Sequence, residues 1–304
     1  MDTLAAVTAP PARPAGAPTG RSSTRTVRAA GARGAGAPVV VGYDGSPDAV
    51  RALVVAADDA AGTGSPLHVL TVARLGEDTA TTAGTPATPT AGECPGAGDH
   101  AVAPVARAEE VLRHAGALVE RLHPELPVVR HLHLGPVATA LRSAARDARL
   151  LVVGARGTGG EFLPGLGDVA AELVAGSPVP VLVVTAVSPE PAAAPGAVGA
   201  GATVAAVHGD GRHGGDDDAV VRRAQDWAGR HGGAVHVVRT SRPDERWSSR
   251  DDALLSAGAG AGVLVVAAPD DDADGLGGRG PGRQVLGRAL CPVLVVPAGE
   301  GADR

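Results

Sequence analysis

Residues 150–169 read LLVVGARGTGGEFLPGLGDV, and this stretch decides the fold. It opens with an apolar run typical of a buried parallel strand and passes into a loop whose glycines follow the spacing Gly, two residues, Gly, nine residues, Gly. A helix is predicted to begin at the last glycine. At such a junction, free backbone N–H groups and the helix dipole favour an oxygen-rich ligand, and glycine permits its close approach. The spacing alone also fits an ordinary connecting loop with helix caps.

Apolar runs alternate with amphipathic segments on both sides of this loop. Strands are predicted at residues 39–41, 67–72, 128–132, 150–153 and 181–184, with helices between them. Ser46 and Pro47 are typical of an N-cap and a first helical residue. Strands that alternate with helices at this spacing indicate an α/β fold with a doubly wound, Rossmann-like parallel sheet, in which ligands bind at the carboxyl ends of the strands.

A second, shorter copy of this arrangement follows. Residues 140–155 align without a gap with residues 253–268 and are identical at nine of sixteen positions, and the run PVLVV at 180–184 recurs at 292–296. The interval between matched positions is halved in the second copy, so we expect four strands there and five in the first. The predicted organisation is a disordered tail (1–37), a first domain (38–186) with a flexible insertion (75–104), a linker (187–201) and a truncated second domain (202–298).

Composition excludes several classes of protein. The net charge of −6 argues against specific nucleic-acid binding, and the absence of lysine excludes a P-loop lysine. No apolar run is long enough to span a membrane, and the two cysteines, Cys94 and Cys291, have no metal or disulfide spacing. His131 and His133 share one face of a strand, but no further ligand completes a set, so no metal site is predicted. We therefore expect a cytoplasmic protein without a membrane partner.

Three motifs resemble the universal stress protein family. They are the opening strand that runs into Asp-Gly-Ser (39–46), the glycine loop (150–168), and the closing strand (177–184), which is repeated at 291–296. The resemblance implies a five-stranded α/β domain that dimerises and, in one subclass, holds ATP. Because this chain carries two closing strands, we expect them to lie side by side in an intramolecular pseudo-dimer, and a homodimer stays open.

The resemblance also implies which residues contact an adenine nucleotide. The residues carried over are Asp44 and Val72 at the adenine, Gly154 and Gly157 at the ribose and first phosphate, and Gly167 and Val169 with backbone amides at the phosphates. Asp168 stands where the family's ATP binders have Ser or Thr. Its carboxylate would repel a phosphate, so the ligand stays open among adenosine, AMP, a cyclic nucleotide and ATP, with Mg²⁺ involved only if it bridges Asp168.

We expect an adenine-nucleotide-binding stress-response module without rapid turnover. The ligand is expected in the first domain only, because Ala267 and Asp270 replace the first two loop glycines in the second. The alternative is a structural or interaction protein of the same fold that binds no nucleotide. A slow ATPase is the least favoured reading, because no catalytic residue can be named from the sequence.

Overall fold

The computed structural model describes residues 25–28, 36–73, 99–159, 165–185, 203–207, 214–239, 254–255, 258, 261–268 and 283–297. The predicted linker (187–201) and residues 75–98 of the predicted insertion lie outside these ranges. A short strand, β1 (Arg25–Arg28), precedes the first unit. The elements of the first unit are β2 (Val39–Gly42), α1 (Pro47–Thr63), β3 (Leu67–Ala73), α2 (Asp99–Leu122), β4 (Val128–Leu134), α3 (Val137–Ala145), β5 (Leu150–Gly154), α4 (Asp168–Gly176) and β6 (Val181–Val184).

The second unit has a similar order of elements. They are β7 (Thr203–Val207), α5 (Gly214–His231), β8 (Val235–Arg239), β9 (Val263–Ala267), α6 (Arg283–Arg288) and β10 (Val293–Val296). Its described residues contribute four strands, as expected. Most residues between β8 and β9 lie outside the described ranges, so the truncation itself stays a prediction.

The strands form one ten-stranded sheet in the order β1-β4-β3-β2-β5-β6-β10-β9-β7-β8. Within each unit, β2 to β6 and β7 to β10 pair in parallel, which confirms the doubly wound α/β fold. Apolar side chains cover both faces of the sheet. Residues of α1, α2 and α5 pack on one face, and residues of α3, α4 and α6 pack on the other.

The two units join through their closing strands. β6 and β10 pair antiparallel, with Leu182 opposite Leu294, Val181 opposite Val295, and Val183 opposite Val293. Because Leu182 and Leu294 are equivalent residues of the repeat, this register has a local twofold axis at that pair. The expectation that the closing strands lie side by side is confirmed.

Two boundaries differ from the sequence prediction. The predicted disordered tail contains β1, which pairs antiparallel with the outer strand β4. An edge strand offers unpaired backbone groups to almost any extended segment, and backbone pairing of this kind leaves little trace in a sequence. The predicted insertion (75–104) also extends too far, since α2 already begins at Asp99 and contains Pro104. Pro104 lies inside this helix, in the part that overlaps the predicted insertion.

Candidate functional site

The candidate site lies where the winding of the first sheet changes direction. β2 has β3 on one side and β5 on the other, so the chain leaves β2 in one direction and returns to its other edge at β5. The loops that follow β2 and β5 therefore meet at the carboxyl edge of the sheet, which is the ligand-binding position of open α/β sheets. We call residues 154–167 the glycine loop; its residues 160–164 lie outside the described ranges.

Asp44 holds the glycine loop against the β2–α1 connection. Its Oδ1 accepts a hydrogen bond from the amide of Ser46 at 2.9 Å, and its Oδ2 accepts one from the amide of Thr158 at 2.8 Å. Ser46 caps α1 by accepting from the amide of Ala49 at 3.2 Å, and its hydroxyl donates to the carbonyl of Arg156 at 3.3 Å. The structure thus brings the predicted Asp44 into direct contact with the glycine loop.

Asp48 is a residue of this site that the sequence reasoning missed. It lies in the first turn of α1, where a carboxylate is favoured by the helix dipole, and it is only 5% exposed. Its Oδ2 accepts from the amide of Arg156 at 3.2 Å and lies 3.7 Å from Nε of the same residue. An acidic residue after Ser-Pro is a common helix start, so only the fold reveals that it faces the glycine loop.

The first two glycines of the loop are required by close packing. A Cβ on Gly154 would lie 2.8 Å from the carbonyl carbon and from Cβ of Asp48, and one on Gly157 would lie 2.7 Å from Oδ2 of Asp44. Real Cβ atoms do not approach other atoms this closely. Gly154 therefore lets β5 approach α1, and Gly157 lets the loop reach the Asp44 carboxylate. These observed contacts are within the protein, whereas the resemblance assigns both glycines to a ribose and phosphate.

Gly167 is the N-cap of α4, and its amide donates to the carbonyl of Ala155 at 2.8 Å. This hydrogen bond closes the glycine loop, and the expected contact of Gly167 with a phosphate stays a prediction. Asp168 and Val169 are the first two residues of α4; Asp168 is exposed and Val169 is half-buried. N–H groups in the first turn of a helix have no partner within the helix, so Val169 keeps the position that its expected role requires.

Val72 lies near the carboxyl end of β3, beside β2, the strand that precedes Asp44. It is half-buried, and its neighbour Thr71 donates a hydrogen bond from its hydroxyl to the carbonyl of Tyr43 at 2.6 Å. This bond ties the end of β3 to the end of β2.

Burial raises the pKa of Tyr43, with a further contribution from the Asp44 carboxylate, so its phenol stays protonated at neutral pH. Its oxygen lies 3.1 Å from Nδ1 of His114.

The histidines on β3 and β4 form a small cluster away from this loop. Nε2 of His131 lies 3.3 Å from Nδ1 of His68, and the rings of His131 and His133 are 6.4 Å apart. Burial lowers the pKa of His133. Within the described parts of the chain, no group of three or more His, Cys, Asp or Glu side chains is arranged to hold a metal ion.

No helix in the described parts of the chain has the length and apolar character of a membrane span.

Parallel strands, a change of winding direction and a glycine loop at the carboxyl edge define the first unit as a doubly wound α/β domain. Residues 37–185 match the family model described as "Universal stress protein family". This part of the chain is thus a domain of the universal stress protein family. Among curated proteins, none matches the sequence significantly.

Two solved structures resemble most of the chain. A universal stress protein from Archaeoglobus fulgidus DSM 4304 is 15% identical, with a TM-score of 0.60, over 87% of this chain and 97% of its own. PA1789 from Pseudomonas aeruginosa PAO1, described as functionally unknown, is 17% identical with a TM-score of 0.53, over 86% of this chain and 92% of its own. At these identities the likeness shows a shared fold.

A third structure resembles a single unit. It is the universal stress protein from Archaeoglobus fulgidus in complex with dAMP, 23% identical with a TM-score of 0.35, over 49% of this chain and 97% of its own.

Proposed function

We propose that the first unit binds an adenine nucleotide at the glycine loop and serves as a cytoplasmic stress-response module without rapid turnover. The observation that supports this most directly is the meeting of the β2–α1 connection and the glycine loop at the point where the sheet changes direction. Three hydrogen bonds join them, one each through Asp44, Asp48 and Ser46. Such a built junction is where doubly wound sheets place their ligands.

The arrangement of donors favours a short phosphate chain. The amides of Arg156, Thr158 and Gly167 already donate to oxygens within the protein. The first turn of α4 then offers the principal donors for a phosphate, and Asp168 adds a negative charge there. We therefore propose AMP as a better ligand than free ATP. Mg²⁺ would improve ATP binding only by bridging Asp168 to the phosphates. In this proposal the second unit binds no nucleotide.

The test is calorimetric titration of the full chain with AMP and with ATP, before and after the substitution Gly157→Ala. The new Cβ would lie 2.7 Å from Oδ2 of Asp44, so the glycine loop and the carboxylate must move apart. We expect AMP binding to weaken by about tenfold, the equivalent of one lost hydrogen bond to a charged group.

A matched control is Gly62→Ala in α1, where a Cβ meets no atom within 4 Å. It should bind AMP as the native chain does. Absence of binding by the native chain, or equal weakening by both substitutions, would contradict the proposed site.

One observation favours a second candidate, an interaction protein in which the glycine loop is structural. The carboxylates of Asp44 and Asp48 accept hydrogen bonds from the amides of Thr158 and Arg156. These two loop amides are therefore already occupied and could not donate to a phosphate at the same time. In that case the loop is a clamp between β5 and α1. Lack of nucleotide binding, together with lower thermal stability of Gly157→Ala than of Gly62→Ala, would support this candidate.

A further inference from the structure

The second unit touches the glycine loop of the first. A Cβ on Gly287, near the end of α6, would lie 2.3 Å from the carbonyl carbon of Gly165 and 2.6 Å from the amide nitrogen of Leu166. The two backbones therefore pack directly against each other, with no side chain between them. Gly165 has a φ of +143°, a backbone conformation that residues with a Cβ rarely adopt.

A buried hydrogen bond lies beside this contact. Thr185 follows β6 and is 1% exposed, and its hydroxyl donates to the carbonyl of Ala289 at 2.9 Å. This proximity follows from the topology. Because β10 runs antiparallel to β6, the connection that leads into β10 from α6 arrives at the edge where β5 and β6 end. That is the edge that carries the candidate site.

Gly165 and Leu166 lead directly into α4, the helix whose first-turn amides are the proposed donors to the ligand. Leu166 is 6% exposed and packs in the core on the α3 and α4 face, and the next residue, Gly167, is the N-cap of α4. A displacement of Gly165 and Leu166 would therefore move the amides of Asp168 and Val169. On the other side, the loop is held by Asp44 and Asp48 of its own unit.

We infer that the second unit positions the nucleotide site of the first, through the backbone contact of Gly287 with Gly165 and Leu166. The inference rests on the proposed function for its ligand, an adenine nucleotide. Gly287 is a positioning residue, because it acts through the glycine loop and not on the ligand itself. The second unit is then a part of the site although it carries no ligand.

The test compares Gly287→Ala with Gly229→Ala in the full chain. Both glycines lie in helices of the second unit, and a Cβ on Gly229 meets no atom within 4 Å. AMP affinity is measured by calorimetry at a temperature at which circular dichroism shows the variants folded. Amide hydrogen exchange of residues 166–169 is measured without ligand. For Gly287→Ala we expect affinity about tenfold weaker, as for one lost hydrogen bond to a charged group, and faster exchange at these amides.

The two readouts separate this inference from the proposed function. If the native chain binds neither AMP nor ATP, the proposed function fails, and hydrogen exchange alone decides whether Gly287 positions the loop. Faster exchange in Gly287→Ala but not in Gly229→Ala supports the inference. Unchanged exchange, or native AMP affinity in Gly287→Ala, overturns it.

A milder variant covers the case in which Gly287→Ala does not fold. Thr185→Val keeps the size of the side chain and removes the hydroxyl that donates to Ala289. It should accelerate exchange at residues 166–169 in the same direction and to a smaller extent. Unchanged exchange in Thr185→Val would overturn the inference in that case.

Discussion

Replacing Asp59 with asparagine should destabilise the protein strongly, because it removes a buried charge that pairs with Arg149. Asp59 lies in α1 and is 0% exposed. Its carboxylate forms an ion pair with the guanidinium of Arg149. Nη1 contacts Oδ2, and Nη2 donates a hydrogen bond to Oδ1 at 3.4 Å. From the second unit, Nε2 of His231 lies 3.3 Å from Oδ1. The carboxylate therefore joins α1, the α3–β5 connection and α5 across the boundary between the units.

The magnitude follows from the burial of the pair. Removal of one partner from a buried ion pair costs about 3–5 kcal/mol, since the other charge is left without compensation. The Arg149 side chain is 19% exposed, and this partial hydration places the expected loss near about 3 kcal/mol. Burial lowers the pKa of Arg149 although the Asp59 carboxylate raises it, so the guanidinium depends on this partner. A loss of this size corresponds to a melting temperature roughly 6–12 °C lower.

The assay is thermal unfolding followed by circular dichroism, with Glu172→Gln as the control. Glu172 also pairs with an arginine, Arg142, at 2.8 Å, but its side chain is 53% exposed. An exposed pair contributes about 0–1 kcal/mol, so this variant should melt within a few degrees of the native chain. Equal melting temperatures for Asp59→Asn and Glu172→Gln would refute the reasoning from burial.

Two further predictions concern the site and the closing strand. Asp168→Ser removes a negative charge from the first turn of α4, and ATP affinity without magnesium should rise about fivefold, since two charges about 4 Å apart in water repel by about 1 kcal/mol. Adenosine affinity should stay unchanged in the same titrations, and an equal gain for both ligands would place Asp168 away from the phosphates. Burial raises the pKa of Cys291 to about 12 from 9.0, so the folded thiol stays protonated while the unfolded thiol ionises. The free energy of unfolding should therefore fall as pH rises above about 9. Alkylation of Cys291 at pH 8, detected by mass spectrometry, should require unfolding of the protein. Labelling of Cys291 in the native protein would contradict this burial.

The sequence predicts those features of the fold that depend on local patterns. The valine and leucine runs mark the buried strands. The pairing of β6 with β10 follows from the resemblance to a family that dimerises, together with the recurrence of PVLVV at 180–184 and 292–296. Asp44 was predicted at the site from its motif. Each of these signals lies within a few residues of the chain, so a single sequence is enough to show it.

The remaining features depend on contacts between residues far apart in the chain. Asp48 reaches the amide of Arg156, 108 positions later, and Arg149 reaches Asp59, 90 positions earlier. Gly287 meets Gly165 from the other unit. No periodicity links such residues, and an aspartate in a first helical turn looks the same whether it faces solvent or a loop. Their roles become visible only when the sheet brings the loops to one edge.

The register of β6 and β10 has an evolutionary consequence. In an assembly of two identical chains, one substitution in a closing strand appears on both sides of the twofold axis at once. Here Val181 faces Val295, and the two belong to the same chain, so each can change alone. The contact also forms at every concentration, because covalent linkage fixes the local concentration of the partner. Each half can therefore diverge in sequence while the joint between them persists.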